Sequence, residues 1–389
     1  MKFVARALAP ALGCAAAQFP CVVLTGPRRA GKTSLLRRLF PRAAYRLLED
    51  PAVLAAARAD PHTFLDDLPP PVILDEIQHA PELLAHVRAR IDAAPRRTGR
   101  WLLTGSQEAP LMQGVTESLA GRAAVLHLLP LAQAETPKAD LFSGGFPEVL
   151  ARPAARALWF DSYVQTYLER DVRAVTQVKD LATFRRFLAV LASRHGQVLN
   201  KTDLAAPLGV SVPTIGEWLS VLEITGLVAV LPPYFENFGK RLLKSPKIYW
   251  LDSGLVGHLL GIHTRAELER SPFLGAIWEG FVAGEILKAQ ANAGRRRELY
   301  YFRDQQGLEV DFVVPAPNAR VRLVEAKASR TPQPAMAAPM RALAAAMGRR
   351  VVDSALVLRL KGPPATPAVA PGVRVRPLAD LVRDLAADA

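Results

Sequence analysis

The sequence predicts an α/β chain: a doubly wound parallel sheet, then a helical and winged-helix segment, then a smaller C-terminal α/β domain. Three observations predict it. A G-x-x-x-x-G-K-[ST] loop stands between a short apolar strand and a helix. Four later apolar runs, separated by helical stretches, supply the rest of a parallel sheet covered on both faces. A last block of short strands between helices places two carboxylates and a lysine at strand spacing. The expected boundaries are 1–135, 136–265 and 266–389.

The loop is Gly26, Pro27, Arg28, Arg29, Ala30, Gly31, Lys32 and Thr33, with Ser34 continuing into the helix. Before it runs Cys21-Val22-Val23-Leu24; after it, Leu35 to Phe40 is helix-like and stops at Pro41. Glycines let backbone N–H groups approach a β-phosphate, and the helix N-terminus adds positive dipole. Lys32 is placed to reach the β- and γ-phosphates and Thr33 to ligate Mg²⁺. This pattern implies ATP and Mg²⁺ as cofactors.

The second strand is expected at Tyr45 to Leu48, followed by the turn Glu49-Asp50-Pro51 and an alanine-rich helix. The next strand, Val72-Ile73-Leu74, ends in Asp75 and Glu76. Asp75 would complete the Mg²⁺ shell and Glu76 would polarise the attacking water, since hydrolysis works by positioning and by compensating charge on the γ-phosphoryl group. A fourth strand is Trp101-Leu102-Leu103-Thr104, followed by Gly105-Ser106-Gln107, and a fifth spans Val125 to Leu128. Residues 3–17 read as a helix beside the first strand. Arg6 interrupts the apolar run that a signal peptide needs.

The set G-P-R-R-A-G-K-T, V-I-L-D-E-I-Q, L-L-T-G-S-Q and S-L-A-G-R, with G-G-F-P-E at 144–148 and Y-L-E-R-D at 167–171, resembles a prokaryotic AAA-type (AAA+ superfamily) ATPase family. Its C-terminal half carries a domain of unknown function. The resemblance covers almost the whole chain and implies an AAA-like ATPase whose lid is replaced by helical and winged-helix segments. In ATPases with an extra strand between the two nucleotide motifs, that strand carries a polar sensor of the γ-phosphate. Thr104 and Ser106 are both candidates. Arg122 would serve as an arginine finger or a sensor arginine, acting in cis or in trans. A homo-oligomeric ring is expected from the likeness alone.

Residues 156–195 are helical by periodicity, with Trp159, Tyr163, Tyr167 and Leu168 on one buried face and an internal ion pair at Arg170-Asp171. Two helices then flank a turn at Leu208-Gly209-Val210, and a strand follows from Gly226, which describes a helix-turn-helix with a wing. Val212, Ile215, Leu219 and Leu222 form the inward stripe of the second helix. Thr214, Glu217 and Trp218 are expected to face outward. The wing, Tyr234 to Lys247, interleaves aromatics with Lys240, Arg241, Lys244 and Lys247, a composition suited to nucleic acid. The DNA-contacting set is therefore Thr214, Trp218, Lys240, Arg241, Lys244 and Lys247.

In the last domain a helix at 273–290 holds Glu279 among inward apolar residues. Strands are expected at 299–303, 308–314 and 322–327, then a helix at 335–347 and a strand at 354–358. The order α-β-β-β-α-β with D…E-x-K resembles the PD-(D/E)XK nuclease core. Asp311 and Glu325 would converge on a Mg²⁺. Lys327, two residues beyond Glu325, shares its strand face and would orient water or stabilise phosphorane charge. Glu279 would complete the acidic cluster.

Composition bounds the partners. The chain has 389 residues, half of them hydrophobic, and a formal charge of +13. Such a balance favours polyanions, although arginine beside abundant alanine and proline also follows from a GC-rich genome. Two cysteines, Cys14 and Cys21, give no disulfide framework and no zinc pattern. No run reaches about 18 apolar residues, so no membrane span is expected and the chain is placed in the cytoplasm. Three functions fit: an ATPase acting on DNA, with a helicase or branch-migration motor as one version; an ATP-gated signalling switch for a protein partner; or a metal-dependent DNase using the C-terminal domain.

Overall fold

The computed structural model describes residues 3–105, 118–168, 181–234, 245–360, 362 and 364–387. The chain divides into two compact units. One comprises Met1–Leu131 with Ile224–Gly226 and Ala291–Arg295; the other comprises Ala132–Glu223, Leu227–Gln290 and Arg296–Ala389.

In the first unit, β1 (Cys21–Thr25), β2 (Ala44–Leu47), β3 (Val72–Asp75), β4 (Trp101–Thr104) and β5 (Ala123–His127) form one sheet in the order β2-β3-β4-β1-β5. Every pairing is parallel. Successive residues of β1 enter different cores: Cys21 and Val23 join one cluster, Val22 and Leu24 the other. Both faces are thus covered, which is why the strands read as continuous apolar runs. Helix α1 (Ala9–Gln18) contributes Leu12 and Ala16 to the second cluster, which also takes in Leu8. It begins at Ala9 and not at residue 3, with Pro10 in its first turn, where proline is tolerated. Helix α2 (Lys32–Leu39) follows the glycine loop. Helix α3 (Pro51–Ala59) is capped by Asp50, whose carboxylate accepts from Ala52 N at 2.8 Å.

In the second unit, the expected 156–195 helix forms as α-helix at Arg156–Tyr163, π-helix at Val164–Leu168 and α-helix at Leu181–Ser193. Arg170-Asp171 lies outside the described residues. Trp159 stacks on Tyr163 with ring centroids 4.9 Å apart, and Phe146 packs against both. Gly144, at φ 70°, lies against Asp252, where a Cβ would collide with the carboxylate. Asp252 in turn accepts from Gly145 N at 2.7 Å.

Helices at Lys201–Ala205 and Val212–Ile224 flank Gly209, which is left-handed at φ 65°. Strands β6 (Val228–Leu231) and β7 (Lys247–Trp250) then pair antiparallel. Two expectations on the second helix are corrected. Trp218 is buried, in contact with Phe184 and Phe187. Spacing explains this: Ile215, Trp218 and Leu222 stand three and four residues apart, on one side of the helix. Val212, the first helical residue, is 40% exposed rather than inward.

The C-terminal elements run from helix Leu274–Asn292 through β8 (Tyr300–Arg303), β9 (Glu309–Ala316) and β10 (Arg320–Lys327) to helix Ala338–Met347 and β11 (Val351–Leu358). The strands β8, β9 and β10 are antiparallel neighbours, and β10 pairs parallel with β11. Beyond β11 the stretch 362–371 contains β12 (Ala368–Ala370), which pairs with β13 (Val373–Arg376) at the sheet edge.

Candidate functional site: the nucleotide loop and a carboxylate cluster

The loop leaves β1 through Gly26 at φ 133°, where a Cβ would stand 2.2 Å from Leu128 O. No side chain fits there. Gly31, at φ 99°, is the left-handed residue from which α2 starts. Arg28 and Ala30 are buried, whereas Arg29 (φ 63°) and Ser34 are exposed. Lys32 is buried and donates to Gly26 O at 2.9 Å and Pro27 O at 3.0 Å, so its ammonium lies within the loop. Behind the loop, Arg6 donates to Ala30 O at 2.8 Å and to Leu129 O at 2.7 Å, tying the loop to the end of the sheet. In the sequence Arg6 stands out only as a break in the first apolar run.

Strand order brings the polar residues together. β4 separates β1 from β3, so Thr104 ends its strand beside Asp75. Asp75 accepts from Thr33 Oγ1 at 2.8 Å, from Tyr45 Oη at 2.8 Å and from Thr104 Oγ1. Thr104 Oγ1 also accepts from Glu76 N at 3.1 Å. Glu76 is non-glycine yet left-handed, at φ 57°, and its carboxylate accepts from Gln78 Nε2. The Tyr45 phenol is pushed above its ordinary range by burial and by the Asp75 carboxylate. Thr33 and Asp75 are hard oxygen donors in contact, a set that fits Mg²⁺. Sequence reading missed Tyr45, whose only signal was its position on the strand beside β3. Of the two sensor candidates Thr104 joins the site, and Ser106 lies outside the described residues.

Arg122 does not join it. It precedes β5, and its carbonyl accepts from Cys21 N at the start of β1. The loop leaves the opposite end of β1, about 13 Å away at strand rise. Arg122 is ion-paired with Asp92 at 2.6 Å. A role on the nucleotide of its own chain is therefore excluded by strand direction.

Of the expected DNA-contacting residues, Thr214 is partly exposed and hydrogen-bonds Ser211 at 2.8 Å. Trp218 belongs to the core, as above. Lys240, Arg241 and Lys244 lie outside the described residues. Lys247 is corrected from a wing surface residue to a buried one: its side chain is 4% exposed, 3.0 Å from Glu279 and 2.6 Å from Glu309. Basic-aromatic composition cannot distinguish a solvent-facing lysine from one drawn inward by carboxylates.

The C-terminal carboxylates do assemble. Asp311 on β9 accepts from Ala326 N at 2.9 Å, and Asp311 N donates to Glu325 Oε2 at 3.4 Å. Lys327 lies 2.6 Å from Glu325 and 3.5 Å from Asp311. Glu279, from the long helix, accepts from Lys247 and from the Tyr249 hydroxyl. Burial and the neighbouring Asp311 push the Glu279 and Glu325 carboxyls up to about 7. Burial opposes the charge on Lys247, but Glu279, Asp311 and Glu309 outweigh it and hold the ammonium charged. Among the described residues no three His, Cys, Asp or Glu side chains converge in a geometry that holds a metal. No helix among them is long and apolar enough to cross a membrane.

Residues 18–136 match the AAA domain family model; 135–266 and 274–365 match two domains of unknown function, DUF8612 and DUF4143. The uncharacterized proteins Rv2008c of Mycobacterium tuberculosis and Mb2031c of Mycobacterium bovis are each 38% identical over 302 residues, covering 76% of this chain and 67% of theirs. Among solved structures, the Walker-type ATPase PABY2304 of Pyrococcus abyssi aligns at 17% identity over 65% of this chain and 94% of its own, with a TM-score of 0.39. The RuvB Holliday junction branch migration motor of Thermotoga maritima aligns at 17% identity over 58% and 89%, with a TM-score of 0.32. At those scores neither structural likeness bears on function.

Proposed function

Since this chain belongs to the family of the mycobacterial proteins Rv2008c and Mb2031c and carries an AAA-type P-loop ATPase domain, we propose that it hydrolyses ATP with Mg²⁺. The observation that carries this is the convergence of Thr33, Tyr45 and Thr104 on the Asp75 carboxylate, beside Glu76 and the loop. Backbone N–H groups of the loop and the α2 N-terminus bind the phosphates. Lys32 exchanges its two carbonyl partners for phosphate oxygens. Thr33 and Asp75 hold the metal, which neutralises phosphate charge when bound. Glu76 orients the attacking water, and Thr104 fixes both acidic residues at the strand ends. Lys32→Ala should abolish Mg²⁺-dependent phosphate release from ATP; turnover retained in that variant would overturn the assignment.

We further propose that hydrolysis is coupled to DNA. Support comes from the +13 charge and from the two helices around Gly209, with Thr214 on the second. The burial of Trp218 and Lys247 removes two of the six contacts read from the sequence. Turnover measured with single-stranded, duplex and branched DNA at two salt concentrations tests this. Stimulation that fades with salt is the expected result. Indifference to all three favours a nucleotide-gated switch acting on a protein.

The nuclease-like reading of residues 266–389 rests on the α-β-β-β-α-β order and on Asp311, Glu325 and Lys327 meeting on adjacent strands. The metal that such a core implies does not fit these side chains as they are placed.

A further inference from the structure

The cation inside the carboxylate cluster is a lysine. Glu309 and Asp311 stand two residues apart on β9, and Glu325 and Lys327 two apart on β10, so each pair shares a strand face. The long helix adds Glu279 and β7 adds Lys247. Four carboxylates and two ammoniums result, and the ammoniums divide the carboxylates between them. Lys247 takes Glu279 at 3.0 Å and Glu309 at 2.6 Å; Lys327 takes Glu325 at 2.6 Å and Asp311 at 3.5 Å. Arg303 adds a further cation, 3.3 Å from Glu309.

We infer that Lys247 is a resident counter-cation that closes this cluster to divalent metal. Mg²⁺ and Mn²⁺ need oxygen ligands free to approach in a near-octahedral shell. One Glu279 oxygen, Oε1, is already held by two donors, the Lys247 ammonium and the Tyr249 hydroxyl. Lys247 is no surface side chain that swings away. Its backbone pairs with Leu231 in the β6–β7 ladder and bridges to Val198, and its ammonium sits 5.5 Å from the centre of the Tyr301 ring. Leaving would strand two partly buried carboxylates, an unfavourable change. A divalent ion entering beside Asp311 and Glu325 would also meet Lys327 and Lys247, two positive charges in a poorly solvated site.

The inference is independent of the ATPase reading, and so is its test. Mn²⁺ binding is measured by electron paramagnetic resonance on the full chain without nucleotide, in an Asp75→Asn background that silences the nucleotide-site carboxylate. The expected result is no Mn²⁺ binding that depends on Asp311, judged by comparison with Asp311→Asn. Lys247→Met should acquire one such Asp311-dependent site, at least tenfold tighter than the weakest binding the measurement detects, and lose it again on Asp311→Asn. Asp311-dependent Mn²⁺ binding in the parent overturns the inference, as does a folded Lys247→Met that gains nothing. If Lys247→Met fails to fold, the parent comparison alone decides.

Discussion

Tyr45 on β2 donates a 2.8 Å hydrogen bond to the Asp75 carboxylate on β3, so the aspartate proposed to hold Mg²⁺ is steered by the strand beside it as well as by Thr33. A hydrogen bond to a charged group contributes about 1.5–3 kcal/mol. Tyr45→Phe should therefore lower turnover about tenfold and raise the Mg²⁺ needed for half-maximal rate, with the KM for ATP little changed. Mg²⁺ titration of the ATPase rate checks this, and an unaltered Mg²⁺ dependence would rule out a positioning role.

Arg122 immediately precedes β5, at the opposite end of the sheet from its own loop, and is paired with Asp92. In dilute protein, Arg122→Ala should hydrolyse ATP at the parental rate per chain. A deficit that appears only as protein concentration rises would mean that Arg122 serves a neighbouring copy. A large loss at every concentration contradicts the placement.

Trp218 is surrounded by Phe184 and Phe187. Truncating a buried tryptophan costs about 3–5 kcal/mol, so Trp218→Ala should lower the unfolding midpoint by many degrees or prevent folding. Trp218→Phe should fold, with any DNA affinity unchanged. Weaker DNA binding by folded Trp218→Phe would restore the outward-facing assignment.

His195 is fully buried, accepts from Trp250 N at 3.0 Å and lies against Gly280, where a Cβ would collide with the ring. Burial pushes the imidazole down to about 3. The folded value is below the unfolded one, near 6.5, so the unfolded chain binds the extra proton first. Stability contributed by the neutral ring is complete above about pH 6.5 and falls as pH drops toward 3, by on the order of a few kcal/mol. Urea melts between pH 7 and 4 should show a shallower acid loss for His195→Gln than for the parent. Parallel slopes would show that other groups govern acid unfolding.

The nucleotide site was legible because its signals are local. Glycine spacing, a strand ending in Asp75-Glu76 and continuous apolar runs each follow from chemistry within a few residues. Tyr45 and Arg6 were not legible: what makes them important is the neighbour that strand order and loop closure bring, and no pattern in the chain announces it. Trp218 was misassigned by treating an i+3 position as the opposite face, although three- and four-residue steps share a side. Lys247 was misassigned for a different reason. Its partners Glu279 and Glu309 are distant in sequence, and only the pairing of β6 with β7 fixes which way it points. The order of the C-terminal elements follows their periodicity, but the choice between a metal and an ammonium at their centre belongs to the tertiary fold.

Glu76 holds its backbone at φ 57°, a conformation that costs an L-residue about 1–2 kcal/mol and glycine almost nothing. Glycine at this position should therefore give a chain that melts later and turns over no ATP. Selection for thermal resilience alone would tend to erase the acid proposed to orient water. The left-handed glutamate thus marks a point where robustness and catalysis pull in opposite directions, within a single residue.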